Sequence, residues 1–395
     1  MTIKHVAREA GVSVATVSRV VNETGPVAET TRRRIREVTE RLRYVPHGAA
    51  RSLITNRTNA IGVLLPDIHG EFFSEVIRGI DVASRHQGYH LLVSSSHGDR
   101  AELAAVLRST RGRVDGLIVM SPDLDVETLK ANLPETLPII TLNDGGKRSS
   151  FDSITVDNYG GALAMTRHLL ALGHTRVGFI KGPANNIDAA ERLRGYRDAM
   201  RPSPAGWSAT LEIEGGFTEE SGFEAGVRVL ALMPRPTAVF AGNDAMAIGA
   251  LSAFRDARVN VPAQIALAGF DDIPISRFIS PSLTTVRVSI ADLGTRATVR
   301  LLDAIQGGGH HQRRHETLPT GLVVRGSCGA ARIGAPRHRA GQAPESPAPH
   351  RAAGTPARRT TAPRAAAGAR RPRRQAAGGK AVPVDRRSNG KGEAT

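Results

Sequence analysis

A chain of 395 residues exceeds one compact domain and suits two or three. It is 40% hydrophobic but only 4% aromatic, so a core must be built from Val, Ile, Leu and Ala; no stretch reaches the roughly 18 uncharged apolar residues of a membrane span. The net charge of +16 is uneven: residues 1–60 hold 11 Lys/Arg against 5 Asp/Glu, residues 61–330 hold 27 against 29, and residues 331–395 hold 15 against 3, so only the two ends have reason to meet a polyanion.

Residues 1–10 interleave charge with apolar side chains and lack the continuous apolar stretch of a signal peptide. The single cysteine, Cys328, can form neither an internal disulfide nor a zinc site. These features predict a reduced, cytoplasmic protein.

Thr2 is placed to cap a helix whose Ile3, Val6, Ala7 and Ala10 share one apolar face. Gly11 stops it, because a left-handed residue there carries no Cβ penalty. Ser13 is a second N-cap, before a helix striped by Val17, Val20 and Val21. A third helix is expected after Thr30 and Thr31, with Ile35, Val38 and Leu42 inward and Arg32, Arg33, Arg34 and Arg36 outward. Two short helices about a glycine-centred turn, with a third across them, follow the helix-turn-helix plan. The second helix offers Val14, Ala15, Thr16, Ser18, Arg19 and Asn22 away from its valines. Such small, hydroxylated and Arg/Asn side chains suit base edges and phosphates of a major groove.

From residue 60 onward, short apolar runs alternate with helical ones. Strands are predicted at Ala60–Leu65, His90–Ser95, Val114–Met120, Pro138–Leu142, Arg176–Ile180, Thr237–Phe240 and Ile265–Phe270, with late strands at Ser282–Val288 and Thr317–Val324. Helices are predicted at Phe72–Arg85, Arg100–Thr110, Gly160–Ala171, Ala189–Met200, Ser221–Leu232, Ala245–Phe254 and Ile290–Ile305. Two such series predict two α/β lobes with parallel sheets.

Ligands of such sheets bind beyond the carboxyl ends of the strands. The residues there are Asp67, Asn143 with Asp144, Asn243 with Asp244, and Asp271 with Asp272, acceptors suited to ligand hydroxyls. An Asp after a strand is equally often only a cap or turn residue. Arg192, near a helix start, is a candidate bidentate donor. Phe73 and Phe217, near loop–helix junctions of an aromatic-poor chain, are placed to stack on a ring.

No nucleotide-phosphate loop, nucleophile elbow or H-E-x-x-H motif is present, so no catalytic residue, metal or cofactor is expected. His310, His311 and His315 lie beside Arg313 and Arg314, which repel a cation; this segment is expected to be a solvated loop. Beyond residue 330 the chain turns to Ala, Arg, Pro and Gly, with too little apolar surface to order itself. Its charge either adds nonspecific DNA affinity or belongs to an extension without a selected role.

The residues Thr2-Ile3-Lys4, Val6-Ala7, Ala10-Gly11-Val12-Ser13 and Thr16-Val17-Ser18-Arg19-Val20-Val21-Asn22, with Tyr44-Val45-Pro46 and Ala49-Ala50-Arg51-Ser52-Leu53, resemble the head and hinge helix of the lactose/galactose-repressor family. Two departures are His5, where the family usually has Asp, and Gly48, which weakens a hinge helix by about 1 kcal/mol. The body from 60 to 328 resembles the family's periplasmic-binding-protein-like core, through Val114-Asp115-Gly116-Leu117-Ile118, Gly242-Asn243-Asp244, Gly269-Phe270-Asp271-Asp272 and Leu322-Val323-Val324-Arg325-Gly326. Residues 199–206 look shorter than the family linker, which bears on a strand at Thr210–Ile213.

The resemblance implies a head over residues 1–45, a hinge over 46–59, a two-lobed effector-binding and dimerisation core over 60–329, and a disordered tail over 330–395. By the same resemblance, Thr2, Val14, Ala15, Thr16, Ser18, Arg19, Asn22 and Ala50 contact DNA, and Leu53 wedges the minor groove. Arg192 and Asp271 clamp an effector, Asn143 and Asn243 bond it, Phe73 and Phe217 stack on it, and Asn186 tunes selectivity. The function implied is a homodimeric repressor that binds double-stranded operator DNA under control of a sugar or nucleoside-like effector. Three alternatives have less support: a transport component, which the head argues against; an enzyme on the same scaffold, which lacks a nucleophile or base; and a DNA coater driven by the tail.

Overall fold

The computed structural model describes residues 1–45, 57–120, 126–143, 151–203, 206–307 and 311–330. The hinge positions Ala50 and Leu53, and the predicted tail, lie outside these residues.

The head is three helices, α1 (Ile3–Ala10), α2 (Val14–Val21) and α3 (Glu29–Arg41). They close over a small aliphatic core of Val6, Ala7, Ala10, Val17, Val20, Ile35 and Val38. Gly11 ends α1 at φ 61°, the left-handed conformation that the turn requires. Ser13 caps α2 by accepting the Thr16 amide at 3.1 Å. His5 completes the start of α1: its Nδ1 accepts the Thr2 backbone N–H at 3.3 Å, the reciprocal half of a capping box. The third helix begins earlier than expected, at Glu29. Thr30 and Thr31 lie inside its first turn, where Glu29 rather than a threonine cap favours the helix dipole.

The body holds two six-stranded sheets. In chain order the first lobe supplies β1 (Ala60–Leu65), α4 (Glu71–His86), β2 (His90–Ser95), α5 (Arg100–Thr110), β3 (Gly116–Met120), α6 (Val126–Asn132), β4 (Ile139–Leu142) and β5 (Asp152–Val156). The second supplies α7 (Asn158–Ala171), β6 (Val177–Ile180), α8 (Ile187–Met200), β7 (Glu212–Ile213), α9 (Glu219–Ala231), β8 (Ala238–Ala241), α10 (Asp244–Asp256), β9 (Ala266–Asp271) and β10 (Thr284–Arg287). Then follow α11 (Ile290–Gly307), β11 (His315–Leu318) and β12 (Gly321–Val323).

The single late strand expected over 317–324 is two strands in different sheets. β11 pairs parallel with β5, and β12 antiparallel with β10, giving the orders β11-β5-β4-β3-β1-β2 and β12-β10-β9-β8-β6-β7. Pro319 and Thr320 occupy the break, where a proline cannot continue a ladder. After β10 the chain therefore returns to the first lobe through α11 and β11 and re-enters the second through β12. The α11 helix packs on α4 so closely that a Cβ on Gly79 would lie 2.0 Å from the Ala291 carbonyl oxygen, and one on Gly294 2.4 Å from that of Val76.

All the other pairings are parallel, and the central strands are buried on both faces, as helices on both sides of a sheet require. The core is correspondingly aliphatic, with Tyr89, Phe179, Tyr196, Phe240, Phe254 and Phe270 its large aromatic exceptions among the described residues.

His310 lies outside the described residues, and the other two histidines of this segment each have a protein partner instead of facing only solvent. His311 Nε2 pairs with the buried carboxylate of Asp152, and His315 Nδ1 lies 2.7 Å from Ser153 Oγ. Both partners stand on β5, and β11 forms beside them. No group of three potential metal ligands occurs among the described residues. None of the described helices is long and apolar enough to cross a membrane.

Candidate functional site

A cavity of about 320 Å³ is lined by residues from both lobes. Phe73, Asn143, Asn186, Arg192, Phe217, Asn243 and Asp271, the seven candidate effector residues, all line it. Their positions follow from the fold. Phe73 lies in the first turn of α4, Asn143 just past β4, and Asp271 at the carboxyl end of β9. Asn186 and Asn243 are the N-caps of α8 and α10, accepting the amides of Ala189 and Met246, each at 2.9 Å. Asn243 Nδ2 also donates to the Phe217 carbonyl at 2.9 Å and so holds the Phe217 loop.

Arg192 and Asp271 belong to the same lobe rather than to opposite walls, and they pair directly: Arg192 Nη2 lies 3.2 Å from Asp271 Oδ1. Both residues are buried, at 5% and 4% exposure. The guanidinium is held on its other sides. Nε donates to Asn158 Oδ1 at 2.8 Å, Nη1 to the Gly242 carbonyl at 2.6 Å, and its carbon sits 3.8 Å from the centre of the Phe270 ring. A planar, always-charged side chain suits such a buried fork, where a lysine would not reach all three acceptors.

The Asp271 carboxylate receives less. The contact with Arg192 is an ion pair, and among the described residues neither Asp271 Oδ1 nor Asn143 Oδ1 accepts a well-aligned hydrogen bond. Burial pushes the Asp271 carboxyl up to about 7, with Arg192 pulling it down and Asp188 adding to the rise. Asn143, Phe217 and Asp271 have φ of 54°, 68° and 116°. Non-glycine residues are held there only where surrounding structure over-determines them, as at ligand sites.

Two of the expected acceptors face elsewhere. Asp244 is fully buried, with Oδ1 accepting from Thr285 Oγ1 at 2.5 Å and Oδ2 from the Ile273 amide at 3.0 Å. Burial and the nearby Asp271 push its carboxyl well above the ordinary range. Asp272 accepts from Arg287 Nε at 2.8 Å and from Arg325 Nη2 at 2.5 Å; burial raises its carboxyl, but these two arginines outweigh it and hold it low. Both acids lie outside the cavity lining and build the frame behind it. Asp67 does line the cavity, while Asp144 lies outside the described residues.

Glu71, Asp188 and Asn158 were not singled out from sequence. Glu71 and Asp188 line the cavity from the first turns of α4 and α8. Asn158 bridges Asp188 to the arginine: its Nδ2 donates to Asp188 Oδ1 at 2.8 Å while its Oδ1 accepts from Arg192. The first-turn position was a usable signal for Asp188. Nothing local marks Asn158, which is 34 residues from Arg192.

In the head, Val14, Ala15 and Arg19 are exposed on α2, and Thr16, Ser18 and Asn22 are partly so. Thr16 Oγ1 lies 2.8 Å from Ser13 Oγ, and Asn22 Nδ2 donates to Ser18 Oγ at 3.1 Å. Thr2 is exposed at the start of α1.

A helix-turn-helix head carried with a two-lobed, cavity-bearing α/β body defines a DNA-binding transcriptional regulator with an effector domain. Residues 2–47 match the model of bacterial regulatory proteins of the lacI family, and residues 166–328 match that of the periplasmic binding protein-like domain. The chain is 35% identical over 328 residues to the HTH-type transcriptional repressor PurR of Photobacterium profundum, covering 82% of this chain and 98% of that protein. It is 37% identical over 310 residues to the PurR repressor of Proteus mirabilis, covering 77% and 90%. Among solved structures, a Lac repressor dimer bound to operator and the anti-inducer ONPF is similar at 29% identity, with a TM-score of 0.74 over 83% of this chain and 99% of that one. A complex of the transcriptional regulator CelR with cellobiose is similar at 28% identity and a TM-score of 0.61 over the same shares. The chain belongs to the lacI family of bacterial regulatory proteins. It is a DNA-binding repressor responsive to a small effector, and not an enzyme.

Proposed function

We propose that the cavity between the lobes is the effector site and that its occupation controls operator binding by the head. The observation that carries this reading is the convergence of all seven candidate residues on one cavity, with a buried Arg192–Asp271 pair at its wall. Remaining Arg192 N–H groups donate to the effector, Asp271 and Asn143 accept from it, and Phe73 and Phe217 flank its ring. Asn186 sets selectivity at the mouth of α8. The effector is a sugar or a nucleobase-like molecule.

Thr2, Val14, Ala15, Thr16, Ser18, Arg19 and Asn22 form the DNA-reading surface, joined by Ala50 and Leu53 of the hinge. One recognition helix covers half a site, so the active species is a homodimer on a pseudo-palindromic operator. The functional units are the head (1–45), hinge (46–59), core (60–329) and tail (330–395). The tail adds background DNA affinity that falls steeply with salt.

The test is calorimetry of the full-length protein against ribose, cellobiose, adenine and guanine, with operator binding measured alongside by fluorescence anisotropy. A ligand that binds the wild type, shifts operator affinity and loses at least 10-fold in affinity on Asp271→Ala supports the reading. A ligand that shifts operator affinity yet binds Arg192→Ala and Asp271→Ala unchanged places the site elsewhere.

A further inference from the structure

The chain turns sharply where β9 ends at the cavity. Asp271 and Asp272 are consecutive non-glycine residues at positive φ, 116° and 57°. An aspartate tolerates the left-handed well near about 50–70°, which accommodates Asp272, but Asp271 stands well outside it. Such a backbone persists only where its surroundings impose it. The same short run carries much of the site. Asp271 and Ile273 line the cavity, and the Ile275 amide donates to Glu71 of the first lobe at 3.0 Å.

What imposes the turn lies behind the cavity wall. Asp272 accepts from Arg325 Nη2 at 2.5 Å and from Arg287 Nε at 2.8 Å. Arg325 Nη1 donates to the Leu283 carbonyl at 2.7 Å and to Ser276 Oγ at 3.1 Å. Ser276 Oγ donates in turn to the Ile273 carbonyl at 2.7 Å. One guanidinium therefore ties together residues 272, 276 and 283, and reaches Ile273 through the serine. None of Asp272, Ser276, Arg287 and Arg325 lines the cavity.

The two arginines are unequal. The Asp272 side chain is 5% exposed and that of Arg325 14%, whereas that of Arg287 is 57% exposed. Exposed ion pairs are screened by water and contribute little, while a forked guanidinium with several acceptors fixes their geometry. Arg325, just past β12, is therefore the member of the clamp that holds the turn.

We infer that Asp272 and Arg325 are positioning residues of the effector site: their clamp holds the strained turn so that Asp271 and Ile273 face the cavity, and it sets effector affinity without touching the effector. This inference rests on the cavity being the effector site.

The first measurement needs no ligand. Full-length protein carrying carboxyl-labelled carbon-13 aspartate is titrated by nuclear magnetic resonance, with the Asp271 signal assigned from its absence in Asp271→Asn. In the wild type, burial holds this carboxyl up at about 7, against the pull of Arg192 and with the push of Asp188. Arg325→Met takes a cation from the neighbourhood, which by charge alone raises an acid's midpoint. Release of the turn into water lowers it toward the ordinary carboxylate range, so the two effects have opposite signs. A fall is expected, and a midpoint that stays or rises overturns the inference. Arg325→Gln serves if Arg325→Met does not fold. Failure of both to fold also overturns the inference, because the arginine then holds the lobe as a whole.

The second measurement is calorimetry. Any of ribose, cellobiose, adenine and guanine that binds the wild type is expected to bind Arg325→Met at least 10-fold more weakly, and undiminished affinity overturns the inference. A compound that shifts operator affinity yet binds Asp271→Ala unchanged refutes the site assignment instead, and the effector role of the clamp falls with it even where the titration shows that the clamp holds the turn.

Discussion

Glu71, in the first turn of α4, accepts a hydrogen bond from the backbone amide of Ile275 at 3.0 Å, joining the first lobe to the second beside the cavity. It ties the approach of the lobes to a residue that also lines the ligand site. A ligand shifts such an equilibrium only through its differential affinity for the two lobe arrangements, so a bond present in one of them sets the starting population. Glu71→Ala removes an acceptor worth about 1 kcal/mol at a half-exposed position, roughly a fivefold change in that population. The expected outcome is a larger radius of gyration without ligand by small-angle scattering, and an effector affinity lowered by a similar factor. Unchanged scattering and affinity would show that the lobes meet independently of this bond.

The Arg192–Asp271 pair makes a separate prediction about folding. Removing one partner of a buried ion pair strands the other, at about 3–5 kcal/mol. Arg192→Met is therefore expected to lower the urea midpoint sharply, and Arg192→Met with Asp271→Asn to recover part of the loss. Additive effects of the two substitutions would mean that the residues do not interact energetically.

The sequence carried the two-lobed plan because alternating apolar runs and helical stretches are local signals, and several elements, such as β1, β2 and α5, start and stop where those signals change. The return of α11 and β11 to the first lobe was not legible, since it depends on packing against α4 and β5, more than 150 residues away. The partners of His311 and His315 were not legible for the same reason: Asp152 and Ser153 lie about 160 residues upstream. At the site, strand ends pointed to Asn143, Asn243 and Asp271, a helix start to Arg192, the scarcity of aromatics to Phe73 and Phe217, and the family resemblance alone to Asn186, but none of these gave the direction of each acid. Asp271 and Asp272 are neighbours, and adjacent side chains at the end of a strand point to opposite faces; only Asp271 lines the cavity.

The Arg19 side chain stands exposed on α2. A bidentate contact to a base edge contributes roughly 1–3 kcal/mol, so Arg19→Ala is expected to weaken binding to an operator selected in vitro about 10-fold or more. Circular dichroism should be unchanged, because the head core of Val6, Val17, Val20 and Ile35 does not include it. Equal affinity of variant and wild type for that operator would remove Arg19 from the reading surface.

Asp271 also fixes the sign of a pH dependence. Burial pushes its carboxyl from 3.8 up to about 7, against the pull of Arg192 and with the push of Asp188, both on α8; Asp244, at the start of α10, is the other acid coupled to it. Because the folded value exceeds the unfolded one, the folded protein holds a proton that the unfolded chain releases between these limits. The contribution is then fully present below about pH 4, is lost as pH rises toward about 7, and is constant above. Asp271→Asn cannot ionise, so subtracting its stability from that of the wild type cancels the groups titrating elsewhere. Urea midpoints measured from acid to neutral pH should show the wild type losing stability relative to the variant across this window, with the difference levelling near neutrality. A difference that stays flat would mean that Asp271 ionises in the folded protein as readily as in water, and one that moves the other way that it ionises more readily.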